Sequence, residues 1–125
     1  MRVALVTGSA QGIGFAIVKN LLEKGDHKVF GVDIQEQSDE IEGYEENTFI
    51  PLKCDLSDSD ACRKLVRDIG NVDVLVNNAS YANFVPFETL SEDKWDKTFQ
   101  VNLKAPFYLT REAFPIMSKK KNGRI

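Results

Sequence analysis

The sequence predicts an α/β fold, a doubly wound parallel sheet with helices on both faces. Three observations carry that reading. Short apolar runs rich in β-branched residues recur at 3–7, 29–32, 48–53 and 72–76, as expected of strands buried on both faces. Segments with apolar residues three and four apart accompany them, the spacing of core-facing helices. The first run passes into a helix through a glycine-rich turn, Gly8-Ser9-Ala10-Gln11-Gly12-Ile13-Gly14. Strands that alternate with helices lie parallel, joined by right-handed crossovers. The expected strand order is 3-2-1-4, with a crevice at the carboxyl ends of strands one and four.

The elements follow in order. Residues 3–7 form strand one, closed by Gly8. Ile13, Ile17 and Leu21 recur every four residues, flanked by Val18 and Leu22, and this helix stops at Lys24-Gly25. Strand two occupies residues 27–34 and ends at Asp33. The next segment, 35–47, holds Glu36, Asp39, Glu40, Glu42, Glu45 and Glu46 with no basic residue; lacking helical periodicity, it reads as a surface connection.

Strand three is 48–53, and Leu65, Val66 and Ile69 give the apolar side of a helix over 59–69, capped by Ser57 or Ser59. Residues 72–76 form strand four, followed by a helix that Ser91 caps. Leu103, Phe107, Thr110, Phe114 and Met117 then predict a long core-facing helix, which Pro115 bends or ends. Gly123-Arg124-Ile125 reads as the start of a fifth strand. Residues 1–125 are thus expected to be one domain, truncated after the helix that follows strand four, with strand four left as an unpaired edge.

A formal net charge of -3 and the lack of a Lys/Arg stripe argue against a nucleic-acid partner. The basic run Lys119-Lys120-Lys121 reads as solvated chain. Cys54, Cys62 and the single histidine, His27, expected to sit exposed, lack metal-ligand spacing and suggest no disulfide framework, which suits a reducing cytoplasm. No apolar run is long enough for a signal peptide or a membrane span.

The glycine turn carries the first chemical signal. A pyrophosphate needs backbone N–H groups and the positive end of a helix dipole, and a side chain at Gly12 would block its approach. Gly14 permits close helix-to-strand packing. An ordinary tight turn is the alternative. Asp33 ends strand two 25 residues after Gly8, where a carboxylate accepts both hydroxyls of an adenosine ribose and repels a 2′-phosphate. Gln11 and Ile34 offer no positive charge to such a phosphate, so NAD is favoured over NADP. The alternative for Asp33 is a turn former at a strand end.

Taken together, Thr7-Gly-x-x-x-Gly-Ile-Gly14, Asp33, Asp55-Leu56, Asn77-Asn78-Ala79 and Asn102 resemble the short-chain dehydrogenase/reductase family over the whole chain. The resemblance implies a Rossmann-like fold in which Asp55 and Leu56 contact adenine. It places Asn78 and Ala79 on the nicotinamide side, with Ser80 where the family often has glycine, and Ile13 beside the cofactor. Ser9 belongs to the same phosphate-binding turn. Asn102 is the implied catalytic contributor, bending its helix and joining a proton-relay water chain. The Gly-x-x-Gly-x-x-Gly spacing of the extended, epimerase-like branch is not the one seen here.

The family's Tyr-x-x-x-Lys acid is absent: the residues four after Tyr44, Tyr81 and Tyr108 are Thr48, Val85 and Glu112. The family's serine follows a fifth strand that this sequence only begins. The expected function is therefore an oxidoreductase of this type, moving hydride between NAD(H) and a small alcohol or carbonyl, with the catalytic serine, tyrosine and lysine outside this sequence and the chain alone inactive. A non-catalytic dinucleotide-binding module is the alternative. The resemblance also implies a homo-oligomer built through the helix near Asn102. Trp95 reads as a helix-packing aromatic, while Tyr81 and Phe84 stand either at the substrate mouth or in the core.

Overall fold

A computed structural model describes residues 1–125. Four parallel strands, β1 (Arg2–Thr7), β2 (His27–Asp33), β3 (Phe49–Lys53) and β4 (Val74–Val76), lie in the order β3-β2-β1-β4. Around them pack α1 (Gly12–Glu23), α2 (Ser59–Ile69) and, after α3 (Glu92–Phe99), α4 (Ala105–Lys120), with a π-helical turn Gln100–Lys104 joining the last two. The expected order and parallel sense are observed.

Because side chains alternate across a strand, β1 feeds two cores. Ala4 and Val6 meet Val18, Leu21 and Leu22 of α1 on one face, together with Val29 and Phe49. Leu5 turns to the other face, where Val32 and Leu75 meet Cys62, Leu65 and Val66 of α2 and Ala105, Leu109, Ala113 and Met117 of α4. No helix is long and apolar enough to cross a membrane.

The passage from β2 to β3 contains no helix, as the lack of helical periodicity over 35–47 predicts, so strand and helix do not alternate at that step. Other expectations are corrected. The cap of α2 is Asp58, not Ser57 or Ser59; its Oδ1 accepts the N–H groups of Asp60 at 2.9 Å and Ala61 at 3.1 Å, while Ser57 turns to Asp55. Ser91 caps α3 as expected, accepting the Lys94 N–H. His27 is buried at the start of β2, with Nδ1 2.5 Å from Asp26 Oδ1 but not aligned for a hydrogen bond.

The long helix faces the core with its small side. Leu103, Phe107 and Phe114 are exposed, whereas Ala105, Leu109, Ala113 and Met117 are buried, because alanines let α4 approach the sheet and α2 closely. Pro115 lies inside α4, which continues to Lys120. Trp95 packs within its own helix, its ring 5.0 Å from that of Phe99. The outer edge of β4 is not bare: Leu75 N–H donates to Arg124 O at 2.9 Å and Arg124 N–H to Asp73 O at 3.0 Å, a parallel bridge.

Asp73 locks this corner. Its Oδ2 accepts the Val3 N–H at 2.9 Å and its Oδ1 the Lys120 ammonium at 2.6 Å. Burial would raise this carboxyl, but the hydrogen bonds from Lys120 and Val3 and the charges of Lys120 and Arg2 outweigh it and hold it below the usual carboxylate range. A group depressed in the folded state stabilises above its unfolded value, about pH 4, and that contribution is lost as pH falls through the lower folded value. Asp73→Asn should therefore cost about 1–3 kcal/mol at pH 7. Its urea midpoint should then fall less than the parent's between pH 5 and pH 2; parallel pH profiles would contradict this role.

Candidate functional site

A cleft of about 580 Å³ opens at the carboxyl ends of the strands. Gly8, Gln11, Gly12 and Ile13 line it from the β1–α1 turn, Asp33 and Ile34 from the end of β2, Asp55 and Leu56 from the end of β3, and Asn78, Ala79 and Ser80 from the end of β4. Eleven of the fourteen residues singled out in the sequence thus meet around one space. Ser9 and Gly14, both buried, and the exposed Asn102 do not line it.

The turn is built by close approach. A Cβ on Gly14 would fall 1.9 Å from Gly8 O, so helix and turn touch backbone to backbone. Gly12, at φ +58°, faces empty space with no heavy atom within 4 Å of a Cβ position. Ile13 is 74% exposed there instead of packing in the helix face the periodicity suggested. No side chain caps α1 and no acid stands in its first turn, so its leading N–H groups lack intrahelical partners and present the positive dipole end to the cleft.

Thr7 couples β1 to the end of β4. Its buried Oγ1 accepts the N–H groups of Asn78 and Ala79, both at 3.0 Å, and donates to Val76 O at 3.3 Å. Asn78 Nδ2 returns to Thr7 O at 3.0 Å and Gly8 O at 3.2 Å. The Asn78 side chain therefore braces the glycine turn at the point where Asn78 and Ala79 line the cleft.

At the other end, Asp33 Oδ2 accepts the Ala10 N–H and Oδ1 the Gln35 N–H, both at 3.0 Å. Each oxygen retains a further lone pair for a ligand donor. The Ser57 N–H and hydroxyl, on Oδ1 at 2.9 and 2.7 Å, hold the Asp55 carboxyl below its ordinary range against the effect of burial, with Lys97 assisting. Burial and the neighbouring carboxylates push the Cys54 thiol up, and Cys62 up to about 11, so neither is a thiolate nucleophile at neutral pH.

Asn102 lies in the π-helical turn, the kind of irregularity that bends a helix. Its Oδ1 accepts the Tyr81 N–H at 2.7 Å and its Nδ2 donates to Tyr81 O at 2.9 Å. Tyr81 lines the cleft, whereas Phe84 is exposed to solvent. Lys97, the one basic residue lining the cleft, escaped the sequence reading; its ammonium lies 4.7 Å from the centre of the Tyr81 ring. Its neighbours along α3 carry no motif, and only the fold brings it to Asp55.

The family model described as short chain dehydrogenase matches residues 2–125. The chain belongs to the short-chain dehydrogenase family. Among similar proteins, an uncharacterized oxidoreductase of Schizosaccharomyces pombe is 36% identical over 98% of this chain and 46% of its own length. Two solved family structures superpose with TM-scores of 0.81. One is a metagenomic short-chain oxidoreductase in complex with NADP, 34% identical over 98% of this chain and 59% of its own. The other is a 4-hydroxyisoleucine dehydrogenase complexed with NADH, 29% identical over 98% of this chain and 52% of its own. This short-chain dehydrogenase chain spans about half the length of the curated relatives it matches.

Proposed function

We propose that the cleft binds NAD(H), in preference to NADP(H), and serves an oxidoreductase that moves hydride between this cofactor and a small alcohol or carbonyl. The observation that carries the reading is a carboxylate, Asp33, set beside an uncapped, glycine-lined helix start. The residues present fit the group. First-turn N–H groups of α1 would hold the pyrophosphate over Gly12, whose empty space admits it. The free lone pairs of Asp33 would accept ribose hydroxyls, and Leu56, Ile34 and Asp55 would wall the adenine. NAD(H) supplies the hydride acceptor or donor when bound. Asn102 holds the backbone of Tyr81 at the far end, where the resemblance places a water relay for the proton.

A second reading, in which these residues bind nucleotide without catalysis, is told apart by whether turnover accompanies NADH binding. The exposed stripe of Leu103, in the π-helical turn, with Phe107 and Phe114 of α4 supports a homo-oligomer formed through that helix. Two free cysteines fit a cytoplasmic setting.

Titration with NADH, followed by its fluorescence, tests the reading. Saturable binding that ADP-ribose displaces is the expected result. NADH that fails to saturate, or that ADP-ribose leaves in place, would refute it.

A further inference from the structure

We infer that Gln37 is a positioning residue for the adenosine end of the cleft: with Ser9 and Gly31 it staples the segment after β2, and hence Asp33, to the glycine turn. The inference rests on the NAD(H) reading above. Ser9 is fully buried, and its hydroxyl donates to Gln37 Oε1 at 2.7 Å. The same amide donates through Nε2 to Gly31 O in β2 at 3.1 Å. One side chain thus bridges the turn and the strand, using a donor and an acceptor that glutamine alone among residues of its length provides together at neutral pH.

Gly31 shows that room was made for this arrangement. It lies inside β2, where glycine ordinarily weakens a strand and marks close approach. A Cβ there would fall 2.7 Å from Ser9 Oγ and 2.5 Å from Phe49 Cε2. The missing side chain admits the serine hydroxyl to the sheet surface.

The geometry has a consequence for the cofactor. Asp33 ties the same two segments a second time, through the Ala10 N–H, and also holds Gln35. Ile34 and Gln35, which line the cleft, are therefore suspended between two fixed points, Asp33 and Gln37. They stand where a 2′-substituent of the ribose would arrive. Releasing Gln37 frees this short segment to move, loosening the Asp33 carboxylate and opening space beside it. Discrimination between NADH and NADPH should then weaken while the sheet stays intact.

The test compares the parent chain with Gln37→Met, which keeps length without the amide, and Ser9→Ala, which removes the buried donor. Amide hydrogen exchange is followed without cofactor, and NADH and NADPH are titrated separately. In both variants the Ala10 and Gln35 amides should exchange about fivefold faster, with Leu5 and Val29 unchanged, and the NADPH-to-NADH ratio of Kd should narrow by about fivefold. Parent-like exchange and an unchanged ratio would overturn the staple, as would equal weakening of both nucleotides alongside a lowered thermal midpoint. A parent that binds no NADH would refute the cofactor reading instead, while the exchange rates of Ala10 and Gln35 would still decide whether the staple exists.

Discussion

Gly14→Val should unfold or severely destabilise the domain, and Gly14→Ala should cost about 3 kcal/mol, the upper end of ordinary overpacking. The reason is what the new Cβ meets. Gly8 O would stand 1.9 Å away, Asn78 Nδ2 2.6 Å and Gly8 C 2.7 Å. Two of these atoms are backbone of the β1–α1 turn, which Thr7 and Asn78 hold by four hydrogen bonds. Neither side can yield without shifting α1 off the face formed by Ala4 and Val6. A loss of that size lowers the thermal midpoint by roughly 10 °C in a domain of this length. Gly12→Asn is the contrasting variant. No atom lies within 4 Å of its Cβ position and its φ is +58°, a conformation asparagine tolerates. It should melt near the parent while weakening NADH binding, because the added side chain enters the space proposed for the pyrophosphate. Near-parent stability in Gly14→Ala would show that the turn does not rest on the helix as described.

The purified 125-residue chain should neither oxidise NADH with a ketone nor reduce NAD+ with an alcohol. Hydride delivery to a carbonyl leaves an alkoxide, and general acid catalysis of its protonation typically supplies about 10² to 10⁴ in rate. The one tyrosine lining the cleft is Tyr81, and Val85 stands four residues after it. Lys97 lies over the face of that ring, 4.7 Å from its centre, in a cation–π arrangement. Both thiols in the region are held protonated. Absorbance of NADH followed against a panel of ketones should therefore match the blank. Clear turnover would contradict this and point to Tyr81 and Lys97 as an acid pair of a different geometry.

Much of the fold was legible because its signal is periodic and local. Strand β1 is a run of Val3, Ala4, Leu5 and Val6 buried from both faces, and no amphipathic alternative suits it. The parallel sense of β1 with β2 follows from the helix that joins them, whereas β2 and β3 lie parallel through a connection without a helix. The cleft was legible because chemistry at strand ends depends on position: the turn follows β1, Asp33 ends β2, and Asp55 and Asn78 stand two residues past β3 and β4. What escaped was set by packing. Along the π-helical turn and α4 the large residues Leu103, Phe107 and Phe114 dominate any apolar pattern, yet Ala105 and Ala113 face the core, since small residues permit close approach while adding little hydrophobic signal. Three adjacent polar residues, Ser57, Asp58 and Ser59, suit the cap of α2 almost equally by type, and only backbone geometry selects Asp58. His27, a single residue without a pattern, carried no sign of burial. The link from Ser9 to Gln37 spans 28 residues and no motif announces it.

The most direct test of the central claim, that Asp33 meets the ribose of NAD(H), is a pair of calorimetric titrations with NADH and NADPH on the parent chain and on Asp33→Ala. The parent should bind NADH at least tenfold more tightly, a difference of about 1.4 kcal/mol, because on the proposed reading the Asp33 carboxylate would accept ribose hydroxyls and repel a 2′-phosphate. Asp33→Ala should close most of that gap, chiefly by improving NADPH binding. Equal affinities in the parent, or a preference that survives Asp33→Ala unchanged, would contradict the claim.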